Sequence, residues 1–253
     1  MIITYNEAAN IERTLAPLGW ARRILVIDGG STDGTLEMLA RHPAVEVVHR
    51  PFDSFAAQCN FGLTRVTTEW VLSMDADYVL SRALVDELAH RPVPGGIAGF
   101  RAPFIYCIYG RRLRASLYPP RTVLYRARAG RYVDEGHGHR LVIAGEIVGL
   151  ENAILHDDRK PLSRWLASQQ RYAEGEAAFL LQSGPDALTR RDRLRRLGWL
   201  LPLLILPYVL VVKGCAFDGR AGWHYALQRW LAEVMIALAL ADRRLRRRAG
   251  AAA

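Results

Sequence analysis

Between residues 1 and 90 the chain repeats one pattern: a short apolar run, a polar or glycine-rich break, then a stretch with apolar residues at helical spacing. MIIT, RRILVIDGG, VEVVHR and EWVLSMDAD supply the runs, and EAANIERTLAPL, STDGTLEMLARH, SFAAQCNFGLTRV and SRALVDELAHR supply the helical stretches. Runs of about four to five apolar residues suit strands rather than buried helices. Their alternation with helices predicts β-α-β units on a parallel sheet, so the fold class expected is α/β with a Rossmann-like sheet. In such sheets ligands bind beyond the carboxyl ends of the strands. Three polar clusters fall there: Tyr5-Asn6-Glu7, Asp28 to Asp33, and Asp75 to Asp77.

The last cluster poses a physical question. Asp75 and Asp77 follow the apolar run WVLS, where two carboxylates two residues apart can converge on one point. Like charges held that close repel, so a positive group is expected in front of them. The plain alternative is a turn, for which aspartate is a common residue.

Charge narrows the class of partner. With 253 residues, 51% of them hydrophobic, the chain can bury an ample core, and its net charge of +9 favours a polyanion: nucleic acid, a phosphorylated substrate or an anionic membrane surface. Nucleic acid is disfavoured, because the arginines cluster beside apolar segments and no known reader motif is present. Cys59, Cys107 and Cys215 are scattered without metal-ligand spacing, as expected for structural thiols in a reducing compartment. MIITYNEAANIE turns polar by residue 5, so no signal peptide is expected.

Residues 97–160 change character. GIAGFRAPFIYCIYGRRL, RTVLYRARAGRYV, RLVIAGEIVGL and NAILH read as strands, the less regular half of an α/β domain, where an acceptor would be gripped. From 161 onward the pattern is helical. WLLPLLILPYVLVV, residues 199–212, is uninterrupted apolar sequence. As a helix its 14 residues would span about 21 Å, short of the roughly 30 Å of a bilayer core, and Pro202 and Pro207 would kink it. AGWHYALQRWLAEVMIALALA looks amphipathic, with Arg229 and Glu233 spaced to pair. Trp199, Tyr208, Trp223, Tyr225 and Trp230 suit a membrane interface, and RRDRLRR and DRRLRRR suit an anionic leaflet. The alternative is a helical hairpin packed on the domain or on a second subunit. The Arg/Ala tail after Ala241 is expected to fray.

IITYNEAANIERTL, VIDGGSTDGT and MDAD, in this order and spacing, resemble family 2 glycosyltransferases of the GT-A fold. AAQCNFGL resembles the segment that precedes the metal-binding loop of that family. DRKPLSRWL, YAEGEAAFLL and KGCAFDGRAGWHYALQRWLAE resemble membrane-associated bacterial members that build lipopolysaccharide cores and exopolysaccharides. The resemblance implies a glycosyltransferase domain over residues 1–160, with a nucleotide-sugar half (1–96) and an acceptor half (97–160). A helical membrane-associating extension (161–245) and a disordered tail (246–253) would follow, placed on the cytoplasmic face of the bacterial inner membrane.

It also implies roles. The donor would be a nucleoside diphosphate sugar, UDP-linked by this likeness, held by Thr4, Tyr5, Asn6, Glu7, Asp28, Asp33, Gln58, Asn60, Asp75 and Ala76. Tyr5 offers a ring for a base, and Asn6, Glu7 and Asp28 offer hydrogen bonds. Many members carry a second acid where this chain has Gly29. Asp33 also suits a helix start, and Gln58 and Asn60 a plain helix face. Asp77, with His156 as a further ligand, would hold Mg²⁺ or Mn²⁺, a hard cation for hard oxygens. His156 reads equally as a surface histidine closing a strand, and Asp157 and Asp158 as ligands or caps.

An inverting transfer needs a base for the acceptor hydroxyl. Asp134 and Glu135 in YVDEGHGHRL are the candidates, with His137 or His139 in reserve. The acceptor would be a lipid-linked or cell-surface glycan. Alternatives left open are transfer to a polyprenyl phosphate, which needs no base, and a non-catalytic nucleotide-binding membrane scaffold. A sugar nucleotidyltransferase is disfavoured, because no glycine-rich basic loop follows the first strand.

Overall fold

The computed structural model describes residues 1–135, 138–184, 186 and 188–251. They fall into two compact units, Met1–Arg112 with Leu117–Lys160, and Leu113–Ser116 with the chain from Pro161 onward.

In the first unit, β1 (Ile2–Thr4), β2 (Ile24–Asp28) and β3 (Val45–His49) pair in parallel, and so does the two-residue β5 (Met74–Asp75), after β4 (Trp70–Leu72). The order is β3-β2-β1-β5. All of ILVID in β2 is buried, as befits an inner strand covered on both faces. Between strands run α1 (Ile11–Leu15), α2 (Thr35–Leu39) and α3 (Phe55–Arg65). Ser54 starts α3 by accepting from the Ala57 amide. The fold is thus mixed α/β with a parallel sheet, as expected. Ile2, Ile11, Val26, Leu39, Met74 and Leu84 form its core.

EWVLSMDAD reads as one strand but folds as two. β4 joins a different sheet, antiparallel to β10 (Arg121–Arg126), while β5 joins β1. The crossing is at Ser73, whose amide donates to Val123 O at 2.7 Å and whose hydroxyl accepts from Tyr132 Oη at 2.9 Å. No glycine or proline marks the break, so only the competing strand partners decide it.

After β6 (Tyr78–Leu80) and α4 (Arg82–His90) come β7 (Ile97–Ala102), β8 (Phe104–Ile108) and β9 (Arg111–Arg112). Beyond β10 lie β11 (Gly130–Glu135), β12 (Gly138–Ile143), β13 (Glu146–Gly149) and β14 (Ile154–His156). They build the sheets β13-β7-β10-β4 and β6-β14-β8-β9, and an antiparallel β11-β12 ribbon.

The second unit is helical: α5 (Leu162–Gln182), α6 (Arg190–Arg196), α7 (Leu200–Pro207) and α8 (Gly219–Ala251). Ala173, Ala177, Leu180, Ile236 and Leu240 pack at its centre. Two expectations are corrected. The tail from 246 is helical through Ala251, where fraying was expected. Glu233 pairs with Arg195 and Arg191 from α6 instead of with Arg229, whose guanidinium lies over the Trp165 and Tyr225 rings. No single helix among the described residues is long and apolar enough to cross a membrane.

Candidate active site

The carboxyl ends of β1, β2 and β5 converge through their loops. Asn6, in left-handed backbone conformation, accepts from the Thr32 amide at 2.6 Å, and its own amide donates to Ser31 Oγ at 2.8 Å. The Glu7 amide donates to Thr35 Oγ1, and the Ala8 amide to Asp33. The first two strand ends are therefore laced into one rim.

Asp77 lies between β5 and β6. Burial and the nearby Asp75 and Asp158 push its carboxyl up to about 7, against the pull of Lys160. Its Oδ2 is 3.5 Å from His156 Nε2 at the end of β14. Asp77 Oδ1 and His156 Nδ1 are both buried without a hydrogen-bond partner. His156 is stacked on Tyr118 and lies against Tyr106, each 4.7 Å between ring centroids. Burial lowers its pKa to about 4, leaving a neutral imidazole at pH 7.

Beside this pair sits Lys160. Its ammonium is 2.6 Å from Glu7 Oε1 and 3.5 Å from Asp158 Oδ2, and Asn10 Nδ2 bridges the same two acids at 2.8 and 2.9 Å. Burial pushes Glu7 up to about 7, moderated by Lys160. Burial alone would lower the Lys160 pKa, but Glu7, Asp77 and Asp158 hold it above its ordinary value.

The description "Glycosyl transferase family 2" matches residues 1–122. Over those residues the chain is similar to glycosyl transferase family 2. An uncharacterized glycosyltransferase of Rickettsia bellii (strain RML369-C) is 38% identical over 90 residues, a stretch covering 35% of this chain and 30% of that protein. The lipopolysaccharide core biosynthesis glycosyltransferase LpsC of Rhizobium meliloti (strain 1021) is 25% identical over 222 residues, 81% of this chain and 77% of that protein. The crystal structure of S. aureus TarS 1-349 in complex with UDP aligns with a TM-score of 0.42 at 15% identity, covering 97% of this chain and 90% of that chain.

Within residues 1–122 the expected donor residues divide. Tyr5 is 53% exposed. Glu7, Asp75, Asp77 and His156 gather as described. Thr4 is buried, with Oγ1 unpartnered. Ala76 is buried too, and its carbonyl accepts from Thr14 Oγ1 at 2.7 Å.

Four of the expected donor residues are engaged within the protein itself. Asp28 has no exposed surface: its oxygens accept from the Gly30 and Ser31 amides and the Ser31 hydroxyl, so it shapes the loop and presents nothing to a ligand. Burial works against its charge, but these bonds hold its pKa below the usual carboxylate value. Asp33 ties Thr35 to the Ala8 amide. The Gln58 amide is engaged at both ends by Arg50, and that of Asn60 by the backbone of Tyr132 at 2.9 Å each way. A side chain at Gly29 would meet Thr4 O at 3.4 Å, an ordinary contact, so no close approach demands glycine there.

On the ribbon, Asp134 stands opposite His139 in register. Asp134 accepts from Ser54 Oγ at 3.0 Å. Burial lowers the His139 pKa, while Asp75 and Asp134 work to raise it. Backbone places Glu135 at the end of β11; His137 lies outside the described residues. Asp157 proves to be a structural hub, accepting from Arg13 at 2.6 Å, Arg159 at 3.0 Å and the Gly110 amide at 2.9 Å.

Sequence reasoning missed Lys160. One signal was legible: among 34 basic residues only Lys160 and Lys213 are lysines. A chain that otherwise uses arginine keeps a compact ammonium where one point charge must fit among several carboxylates.

Proposed function

We propose that this chain is an inverting glycosyltransferase that moves a sugar from a nucleoside diphosphate sugar, UDP-linked in our reading, to a hydroxyl of a lipid-linked or cell-surface glycan. The observation that carries it is the Asp77–His156 pair at the strand ends, each with an orphaned buried polar atom, beside the Lys160 ammonium. Such atoms are costly unless a ligand completes them.

Mg²⁺ or Mn²⁺ fits these residues. Among the described residues no three His, Cys, Asp or Glu are arranged to hold a metal ion between them, but these ions keep waters and substrate phosphates and need only one or two protein ligands. Asp77 and His156 would hold the ion, which supplies Lewis-acid stabilisation to the departing diphosphate. Lys160 adds fixed positive charge on the same side, where negative charge builds as the bond from sugar to diphosphate breaks. Tyr5 stacks on the base. The acceptor hydroxyl attacks the anomeric carbon from the opposite face and loses its proton to the ribbon, at the facing pair Asp134 and His139. Asp134→Asn and His139→Gln should each lower kcat by about a hundredfold or more, with donor KM little changed; initial rates at saturating donor check this.

The likeness to LpsC over most of the chain supports a lipopolysaccharide-core acceptor. The helical unit suits the cytoplasmic face of a bacterial inner membrane: Leu203, Val211, Val212 and Phe217 are exposed apolar residues, with arginines of α6 nearby in sequence. Salt-sensitive sedimentation with anionic vesicles tests that placement.

The deciding experiment is calorimetric titration of UDP with and without Mn²⁺, for wild type and Asp77→Ala. Metal-dependent binding lost in Asp77→Ala is expected. If no nucleotide binds under any metal condition, the enzyme reading falls.

A further inference from the structure

Arg121 opens β10 and is half-buried. The other half-buried arginines of the first unit, Arg13, Arg50, Arg91 and Arg126, each hold a carboxylate. Arg121 makes no hydrogen bond or ion pair with any described residue. Its Cζ lies 5.0 Å from the centre of the Tyr118 ring, the same ring that stacks on His156. Tyr118 is itself fixed by a hydroxyl contact with Tyr78. The guanidinium is thus held over one face of an aromatic stack whose other end touches the Asp77–His156 pair. A half-buried guanidinium with its fork of donors unused is a receptor for an oxyanion.

Position indicates whose oxyanion it is. The donor diphosphate already has a cation, Lys160, packed among Glu7, Asp158 and Asp77. Arg121 instead lies over the Tyr118 ring. The groups that feel its charge include Asp75, Tyr118, Tyr132 and His139, the last two on the ribbon that carries the proposed base. Asp75 is the carboxylate it feels, yet the two do not close an ion pair.

We propose that Arg121 receives an anionic group, phosphate or carboxylate, carried by the acceptor next to the atom that takes the sugar. The substrate class is thereby narrowed to acidic acceptors. An acceptor lacking the anion leaves a half-buried cation unpaired, so discrimination against neutral glycans is large. This rests on the glycosyltransferase reading, but its test is separable from it.

Methyl phosphate is the probe, titrated by ³¹P NMR into the whole chain with and without saturating UDP and Mg²⁺. Saturable binding to the UDP-loaded wild type is expected. Arg121→Gln should weaken it by about tenfold or more, and Arg121→Lys, which keeps the charge but loses the fork, by about threefold. UDP affinity should change by less than about twofold in both, which also reports that they fold. Wild type that fails to bind methyl phosphate, or Arg121→Gln that binds it as tightly as wild type, overturns the proposal. So does loss of UDP affinity in Arg121→Gln with methyl phosphate binding intact, which would make Arg121 a donor residue. Failure of UDP to bind wild type instead overturns the donor reading, and the nucleotide-free titration still decides Arg121.

Discussion

Each unit buries a cluster of carboxylates around a cation, and the two clusters are built differently. In the helical unit Arg195 reaches Glu176 at 2.6 Å and Glu233 at 2.7 and 2.9 Å, and Arg191 joins Glu233 at 2.7 Å. Burial works against Glu233, yet Arg195 and Arg191 hold its pKa below the ordinary value. That cluster is complete. In the α/β unit one lysine serves Glu7 and Asp158, and Asp77 keeps an oxygen without a partner. Glu7 and Asp77 are pushed up to about 7. A satisfied buried cluster is architecture, whereas an unsatisfied one is where the proposed function places its ligand.

The comparison can be broken at its strongest point. Arg195→Met removes the cation from two buried glutamates and should destabilise the chain by about 3–5 kcal/mol, read by urea denaturation. Lys160→Met should cost less, about 1–2 kcal/mol at pH 6, because Glu7 and Asp77 can take up protons there. Equal losses in the two variants would mean that the clusters do not differ in kind. Asp77→Asn sharpens the contrast: it should leave the metal-free protein as stable or more so, and weaken UDP binding in Mn²⁺ by about tenfold or more.

The smallest effect is in pH. Asp77 and Glu7 have raised folded pKa values, so their stabilising contribution is full below about pH 4 and is lost as pH rises through about 7. The metal-free protein should therefore melt a few degrees lower at pH 8 than at pH 5.5. UDP with Mn²⁺ should raise the melting temperature more at pH 8, where Asp77 is ionised. A flat profile in the wild type, or a slope that persists unchanged in the double variant Asp77→Asn/Glu7→Gln, would dissociate the titration from this site.

Some of this was legible in the chain alone. The strand–helix alternation announced the parallel sheet, because strand and helix periods differ and each buries a fixed face. The aspartates of MDAD and His156 were legible as a group because each follows an apolar run. Other assignments were not. Asp28, Gln58 and Asn60 look like donor contacts by residue type, yet each is consumed by nearby backbone or by Arg50, and which hydrogen bond a polar side chain takes is settled only by what folds against it.

The sequence by itself determined the α/β class, and it pointed to the strand ends and to positive charge in front of Asp75 and Asp77. Only the tertiary structure decided which protein cations come near, Lys160 by Asp77 and Arg121 within electrostatic reach of Asp75 but not paired with it. Both lie more than forty residues from those aspartates, and contacts at that separation follow from how the sheets pack, which no local pattern records. The same packing split WVLSMD at Ser73, because β1 and β10 offered partners to the two halves of one apolar run.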